Sequence, residues 1–452
     1  MSFFRGRTTT TRANKISEFT VNTAEYGAVV PEIIGTVRTA GNVIYYDDFT
    51  AHEHRETHKA GKGGKSKQVS ITYTYTVAVI LGLCEGPIFG IGKVWIGKNV
   101  HNYPADDIQL TLFDGKENQQ PWAYTQGKHP EKALPYPGLA YMAGVIDLGD
   151  SGSMPSYNFE VKGRLLETGD GIDVNPADYI RYVLDKIGKK DIQIIGLDNY
   201  RKYCKEADLL ISSPPDEDAK AAREVVNEIA KLTNAYVFWS NDKLKIVPLA
   251  DRPVGSWVPD KTGITDLTAD DFLPQSGGAL VTYKRKDSSA IYNQFPVEFI
   301  NRANGYEKES VSYEFTEDIK NYGVRAASVT NARYVYTKER AVKIAEQLAR
   351  NNKYERMQYT FKLDWSLCRL EVGDLVRLTD ENSGIFEQVA VVNGITEGTD
   401  GCLTVTAISR APGDYPAAKY NVHANDRPYI DYNKTAPDTV PVIFQPPADL
   451  TA

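Results

Sequence analysis

The sequence predicts a β-rich α+β fold with several domains, and three observations support this class. From Val69 to Leu83 every odd position is large and apolar, while the even positions begin with Ser and Thr. The chain has 28 tyrosines against 15 phenylalanines, which favours half-buried β surfaces that end in hydroxyls. Amphipathic helical patterns stand between the runs of strands. Because 452 residues exceed one ordinary core, about two to four domains are expected.

The alternating run predicts an unusually long strand. At about 3.3 Å per residue it would span about 50 Å, so we expect part of it to leave its parent sheet and pair with another layer or subunit. Its even face turns apolar from Ala78, which predicts cover on both faces of the far half. The run ends at Gly86 and Pro87, which suit a corner, and a second strand is predicted from Ile88 to Ile96.

The composition argues against several classes of protein. A net charge of −7 is unlike that of a sequence-reading DNA-binding protein, although it allows DNA that merely passes by. The four cysteines lie far apart without a CxxC pair, which predicts reduced, mostly buried thiols. No stretch resembles a transmembrane helix or a signal peptide, so we expect synthesis and assembly in the cytoplasm.

Two helices and a hairpin mark a smaller α+β segment. Asn175 and Pro176 predict a helix start, because Asn is a good cap and Pro suits the first helical position. A second helix is expected from about Glu217 to Leu232. The predicted hairpin has strands at Ala235–Trp239 and Leu244–Leu249.

The later part of the chain is expected to be β-rich again. A third amphipathic helix, from about Lys338 to Asn351 with Thr337 as its cap, precedes four strands that predict a small barrel. These strands are Met357–Leu363, Asp374–Leu378, Phe386–Gly394 and Leu403–Ile408. The predicted organisation is a flexible arm (1–24), a β-rich domain with a long hairpin (25–165), an α+β domain (166–252), a second β-rich domain with one helix and a terminal barrel (253–410), and a linker (411–452).

Residues 60–66, Ala-Gly-Lys-Gly-Gly-Lys-Ser, have the Gly-rich composition with Lys and Ser that is typical of a phosphate-binding loop. A Walker A loop needs a glycine five positions before Gly64, but that position is Lys59. It also needs a helix after it, and here the long strand follows. We therefore expect a mobile, basic, Gly-rich loop and no nucleotide site.

Three of the six histidines, His52, His54 and His58, lie close together and could hold a metal ion. The spacing is not the HExxH zinc motif, because Arg55 follows His54. No carboxylate or cysteine cluster nearby completes a site. Residues 51–68 are therefore expected to be a solvated polar loop that leads into the long strand.

No stretch of the sequence carries a recognisable catalytic motif. The segment Ser151-Gly152-Ser153 lacks the spacing of a nucleophile elbow, and no cysteine carries a catalytic signature. Aspartates and glutamates are too numerous for one pair to be singled out. The sequence predicts no catalytic residue, no cofactor-binding residue, no metal ligand and no cofactor.

Several motif groups occur in a fixed order between residues 25 and 410. They are Tyr26-Gly27 through Pro31 with Gly35–Arg38 and Gly41–Ile44, Tyr73 through Trp95, Pro135–Tyr141 with Met154–Val161, Asn175–Asp178, and Leu370–Val376. As a set they resemble the phage tail tip proteins. This family includes the tip attachment protein J of lambda-like phages, the hub proteins of gene transfer agents and, more distantly, the central hub of contractile-tail baseplates.

The resemblance implies a homotrimer that closes the tail tube. Each subunit would supply two tail-tube-like β-barrel domains, giving a pseudo-sixfold ring that docks on a distal tail protein hexamer. Other implied partners are the tape measure protein, a central tail fibre or other baseplate proteins, and genomic DNA that passes without sequence-specific binding. Residues 446–452 look like the opening of a fibronectin-like domain, so the chain is expected to be cut short.

The sequence therefore predicts a non-enzymatic structural protein of the virion, a baseplate or tail tip hub that gates the exit of DNA and tape measure protein. One alternative is a tail-associated cell-wall hydrolase, for which the motifs are missing. Another is a receptor-binding tip protein, which would need a repetitive or Gly-rich C-terminal extension that the sequence lacks.

Overall fold

The structure is a computed structural model. It describes residues 8–16, 18–20, 29–60, 66–105, 108–214, 221–240, 242–250, 252–259, 264–275, 277–287 and 290–410. The chain divides into two compact units, Met1–Lys419 and Tyr420–Ala452, and the second lies outside the described residues. The predicted linker and the Gly-rich loop at 61–65 also lie outside them.

Strands make up most of the regular structure. The first half of the chain contains β1 (Thr8–Arg12), β2 (Thr36–Ala40), β3 (Asn42–Ala60), β4 (Ser66–Glu85), β5 (Gly90–Ile96), β6 (Asn99–Asn102), β7 (Thr111–Phe113), β8 (Leu139–Gly149), β9 (Tyr157–Lys162), β10 (Ile194–Ile195), β11 (Ala235–Ser240) and β12 (Lys243–Pro248). The second half contains β13 (Thr265–Leu267), β14 (Phe272–Leu273), β15 (Val281–Arg285), β16 (Gln294–Asn301), β17 (Glu307–Glu314), β18 (Thr330–Asn331), β19 (Met357–Leu363), β20 (Leu375–Asp380), β21 (Ile385–Glu397) and β22 (Leu403–Ser409).

Helices are fewer than strands among the described residues. They are α1 (Ala123–Lys128), α2 (Pro176–Lys186), α3 (Leu197–Glu206), α4 (Ala222–Leu232), α5 (Thr316–Tyr322) and α6 (Lys338–Tyr354), with 3₁₀ turns at Pro130–Lys132, Arg302–Asn304, Trp365–Leu367 and Glu381–Ser383. Among the described residues, no helix combines the length and the apolar character that a membrane span needs.

The described strands form five sheets. One contains β1, β3, β4, β7 and β8, and a second contains β2, β9, β5 and β6. Three-stranded sheets are built from β10, β12 and β11 and from β17, β16 and β18. The last sheet has seven strands, with the order β13-β20-β21-β22-β19-β14 and β15 also on β19. The fold-class prediction is confirmed, because the chain is strand-rich with several sheets and a half-barrel.

Three large hydrophobic cores hold these sheets. The first two sheets share one core, to which β4 contributes Val77, Val79 and Leu81. A second core joins α2, α3, α4 and α6 to the two three-stranded sheets, and the seven-stranded sheet encloses the third. The predicted domain boundaries stay a prediction.

Most predicted elements are present with shifted ends. The long strand is confirmed as β4, and the second helix begins at Ala222. Asn175 caps α2 by accepting a hydrogen bond from the Ala177 N–H at 3.0 Å. Thr337 occupies the cap position of α6, but its side chain makes no capping hydrogen bond. The helix α3 was not predicted, because its ten residues are mostly polar and charged and only Tyr200, Tyr203 and Cys204 are buried.

The expectation of a loop over residues 51–68 is wrong for the described residues 51–60 and 66–68. Residues 51–60 continue β3, which pairs antiparallel with β4 as far as Ala60 and Ser66. Both faces of β3 are exposed here, so its side chains show no apolar alternation, and the strand depends on backbone pairing with β4. The N-terminal arm also differs from expectation, because Thr8–Arg12 pairs in parallel with β4 of the same chain.

The thiol prediction holds for half of the cysteines. All four are free; Cys84 and Cys204 are buried, whereas Cys368 is exposed and Cys402 is intermediate. Burial raises the pKa of the Cys84 thiol to about 12, so this side chain behaves as a small apolar group.

Candidate assembly surface

The hairpin formed by β3 and β4 extends past the other strands of its sheet. We call Thr50–Ala60 together with Ser66–Thr76 the distal ribbon; its register runs from Thr50 opposite Thr76 to Ala60 opposite Ser66. The strand β8 pairs with β4 only from Tyr75 to Glu85. Among the described strands, β8 therefore reaches the distal ribbon only at Tyr75 and Thr76, and β1 is the neighbour of the ribbon further out.

The short strand β1 covers part of the second edge of β4. It pairs in register from Thr8 opposite Lys67 to Arg12 opposite Ile71. Arg12 anchors its end: Nε donates to the Tyr73 hydroxyl at 2.7 Å, and Nη2 donates to Glu53 Oε2 at 3.0 Å. These hydrogen bonds raise the pKa of the Arg12 guanidinium, with Tyr73 as the larger contributor.

The outer edge of β3 has no partner strand among the described residues. The strand is 19 residues long and pairs only with β4. Its backbone N–H and C=O groups on the other side form a continuous template for a further strand. Natural edge strands are usually short or covered, so a free edge of this length marks a surface that another chain can complete.

A β-bulge separates the distal ribbon from the rest of β3. The register shifts between Asp47 and Thr50, and Asp48 has a φ of 52°, a left-handed conformation that Asp tolerates better than most residues. The side chain of Phe49 stacks on Tyr75 with ring centroids 5.3 Å apart. The bulge thus fixes where the ribbon leaves the core.

Five polar side chains hold this bulge, and we call them the root clamp: Asp47, Asp48, Tyr124, His129 and Lys132. Asp48 Oδ2 accepts hydrogen bonds from the Tyr124 hydroxyl at 2.7 Å and from His129 Nε2 at 3.0 Å. Lys132 Nζ donates to Asp47 Oδ2 at 2.5 Å. These hydrogen bonds lower the pKa of both carboxyls, mainly through Tyr124 for Asp48 and through Lys132 for Asp47.

Asp47, Asp48 and His129 are also the three described residues whose ligand atoms come close enough to hold a metal ion, within 4.8 Å of one another. However, the Lys132 ammonium already lies against Asp47, and Tyr124 and His129 already donate to Asp48. The arrangement is therefore a hydrogen-bonded cluster that joins β3 to the segment in and after α1.

The structure separates the three histidines noted in the sequence from this cluster. His52, His54 and His58 lie on exposed positions of β3. His52 Nε2 is 2.9 Å from Thr76 Oγ1, and His54 Nε2 is 2.7 Å from Thr74 Oγ1. His58 Nε2 is 3.4 Å from a Glu56 oxygen. They are solvated as expected, but on a strand and not in a loop.

The segment Ser151-Gly152-Ser153 forms a surface turn. The Ser153 N–H donates to Ser151 Oγ at 3.1 Å, and both residues are exposed. This contact orders the turn and gives neither hydroxyl an activating base.

A buried ionic cluster, which the sequence did not reveal, lies where the second sheet meets the helical core. Asp173 is 2% exposed; its carboxylate accepts hydrogen bonds from Arg302, from Arg340 Nη1 at 2.5 Å and from Ser212 Oγ at 2.6 Å. Burial pushes the pKa of Asp173 up, but hydrogen bonding and charge from the arginines outweigh it, so the pKa lies below its ordinary value. The cluster ties together segments far apart in the chain.

One cavity of about 230 Å³ lies beside this cluster. It is lined by Arg38, Asn158, Ile300, Tyr306, Glu307 and Tyr336. The Arg38 guanidinium lies 4.6 Å from the centre of the Trp95 ring and donates to the Gly305 carbonyl at 2.7 Å. These contacts hold the guanidinium within the fold.

Comparison with known proteins points to viral tails. Residues 221–391 match the family described as "Putative phage tail protein". This stretch contains α4, α5 and α6 and the strands β11 to β20. No curated protein gives a significant match to the chain.

Among solved structures, the chain is similar to one from the virion of a native gene transfer agent particle. The TM-score is 0.65 at 18% identity, over 90% of this chain and 92% of that chain. A 43 kDa tail protein of prophage MuSo2 from Shewanella oneidensis matches with a TM-score of 0.32 at 14% identity, covering 85% and 100%. A tail protein from Neisseria meningitidis matches with a TM-score of 0.36 at 9% identity, covering 85% and 99%.

Proposed function

We propose that this virion tail component is the hub of a baseplate or tail tip. In this role three copies close the tail tube, dock on the distal tail protein hexamer and carry a central fibre or other baseplate proteins. The ring gates the exit of genomic DNA and tape measure protein, and it performs no enzymatic reaction. The likeness of fold to the gene transfer agent chain and the tail family match over residues 221–391 support the coarse assignment to a tail.

The free edge of β3 is the observation that carries the proposal. In each copy, the backbone N–H and C=O groups on the outer edge of β3 from Thr50 to Ala60 meet no other described strand, on a ribbon that extends beyond the rest of its sheet. Pairing this edge with a neighbouring copy would satisfy those groups and join subunits through a shared sheet.

The sheet also favours a ring over a symmetric pair. Its two sides differ: β3 forms one, while β1 and β7 lie on the other. A contact between two different edges is head-to-tail, and such contacts close into rings when the rotation allows it. Among the described strands, β3 on one side and β1 and β7 on the other have no further partner, which allows a head-to-tail contact between copies.

The charge balance fits a channel for DNA. A net charge of −7 gives the subunit little general attraction for phosphate. A tube built from it would let DNA move through without holding it.

The domain boundaries predicted from the sequence, with β-rich domains at 25–165 and 253–410, supply the two tube-like units per subunit that the proposal needs.

The mass of isolated tail tips tests the copy number. Three copies per tip are expected, measured by native mass spectrometry or light scattering on purified assemblies. A single copy or six independent copies would rule out the trimer.

A peptidoglycan zymogram tests the non-enzymatic role. The purified chain is expected to leave the gel uncleared, beside lysozyme as a positive control. Clearing by this chain alone would favour a tail-associated hydrolase.

A further inference from the structure

We infer that one face of the distal ribbon, together with the same face of β1, is the water-filled wall of the channel along which duplex DNA moves; this rests on the proposed hub function. We call it the open face. Its side chains are Thr9 and Thr11 of β1, His52, His54, Glu56 and His58 of β3, and Gln68, Ser70, Thr72 and Thr74 of β4.

Register places these side chains together. In a sheet, residues directly opposite each other point to the same face, and alternate residues of a strand share that face. His54 is opposite Thr72 and Glu56 is opposite Ser70, while Thr11 of β1 lies opposite the same Ser70. Three strands therefore contribute to one continuous surface.

The other face of β4 is already covered by this chain. Val69 is 2% exposed, Tyr73 is 6% exposed and Tyr75 is 1% exposed. Beyond Thr76 the open-face side of β4 is covered too, since Ala78 and Ile80 pack with Trp122, Tyr141 and Ala143. The open face thus ends where the chain's own cover begins.

The chemistry of the open face suits a wet wall. It carries five hydroxyls, three imidazoles, one amide and one carboxylate, with no aliphatic side chain and no Phe, Tyr or Trp among its ten residues. The core of an obligate interface between subunits is apolar, so this surface is a poor candidate for dry contact with another copy. Joining through the sheet edges leaves the face itself open.

The same surface is also poorly adhesive for DNA. Glu56 is its only carboxylate, and it has no lysine or arginine. Non-specific affinity for DNA comes almost entirely from lysine and arginine contacts with phosphates. Neutral hydroxyls can hydrogen-bond water and phosphate alike, so a polyanion can move past them without being retained.

The test uses cysteine labelling of assembled tips. In a C368S/C402S background, Thr74→Cys places a thiol on the open face, and Thr404→Cys places one on an exposed position of β22 as the control. Each variant is treated with N-ethylmaleimide and, separately, with a maleimide carrying a long polyethylene glycol chain. The free chain gives the reference labelling for both reagents.

In assembled tips we expect the small reagent to label both variants, and the large reagent to label T404C but to lose its reaction with T74C. Labelling of T74C by the large reagent would place the face outside the tube and overturn the inference. Loss of labelling by both reagents would mean a dry contact between copies, and would overturn it as well. The mass of the same sample reports the copy number. If the labelling is as expected but the copy number is not three, the trimer is ruled out, whereas the assignment of the open face to the channel wall stands.

Discussion

Asp48 Oδ2 and His129 Nε2 lie 3.0 Å apart although 81 positions separate the residues in the chain. Their hydrogen bond joins the bulge of β3 to the segment after α1. The direction of the distal ribbon is therefore set by side chains outside the hairpin itself.

We expect Asp48→Ala to loosen the root of the ribbon. The variant removes the acceptor for Tyr124 and His129 and places Ala at a φ of 52°, a conformation that Ala adopts poorly. Faster amide hydrogen exchange over residues 47–51 is the expected result, with a lower melting temperature.

Asp48→Asn serves as the matched variant, because Asn tolerates the left-handed conformation and its carbonyl can still accept from Tyr124. It should fall between the wild type and Asp48→Ala. Equal exchange in all three proteins would show that the clamp does not hold the bulge.

Loss of the buried carboxylate at Asp173 should lower the free energy of unfolding far more than the substitutions at Asp48. Asp173→Asn takes the carboxylate away from Arg302 and leaves Arg340 with only Asp170 and Asp208, which costs about 3–5 kcal/mol for a broken buried ion pair. Chemical denaturation measures the change. Asp266→Asn, at an exposed ion pair with Arg377, is the control and should change the stability by no more than about 0.5 kcal/mol.

The pH dependence of stability has a defined sign at Asp173. Its pKa is lower in the folded state than the ordinary value of about 3.9. The carboxylate therefore contributes stability that is fully present above about pH 4 and is lost as the pH falls through the folded pKa. The difference in unfolding free energy between the wild type and Asp173→Asn should shrink in acid, and a constant difference from neutral pH to pH 2 would contradict this account.

Gly35 should not tolerate a side chain. Its φ is 82°, and an added Cβ would lie 2.1 Å from Ser212 Oγ, which bonds to Asp173 and to the Thr36 N–H. We expect Gly35→Ala to cost about 3 kcal/mol from backbone strain and overpacking together. Gly97→Ala is the control: its φ is 59° but no atom lies within 4 Å of the new Cβ, so strain alone should cost about 1 kcal/mol. Similar losses in the two variants would argue against the close contact.

A proline pair tests the free edge of β3. Successive residues of a strand direct their N–H groups to opposite edges, so His54→Pro and Arg55→Pro each remove a donor from a different edge. One variant should weaken pairing with β4 and lower the melting temperature. The other should retain the melting temperature of the wild type but lose assembly into tips, measured by sedimentation. Normal assembly of both folded variants would mean that no strand adds to this edge.

Patterns of apolar residues predicted the parts of the fold that face a core. The alternation in β4 and the stripe in α2 are strong because one side of each element is buried. The outer half of β3 gave no such signal, since solvent contacts both of its faces. Similarly, α3 buries three residues within a charged segment, too few to show a clear period.

The candidate surface and the ionic cluster were harder to foresee. The sequence predicted that part of β4 would leave its sheet, and the structure adds the partner strand that creates the free edge. In the chain, Asp173 lies 129 positions from Arg302 and 167 positions from Arg340, so no local sequence spacing relates the three residues. Such contacts become visible only when the fold brings distant segments together.

The outer edge of β3, which no other described strand pairs, has a further consequence for the newly made chain if it assembles as proposed. Before the proposed assembly forms, the backbone N–H and C=O groups of this edge are open to pairing with strands of unrelated proteins. Glu53, Arg55, Glu56 and Lys59 alternate in sign along it, and like charges facing each other across strands are unfavourable. A strand whose charges do not match this pattern would therefore be repelled. The charges of β3 thus select which strands can pair with its outer edge.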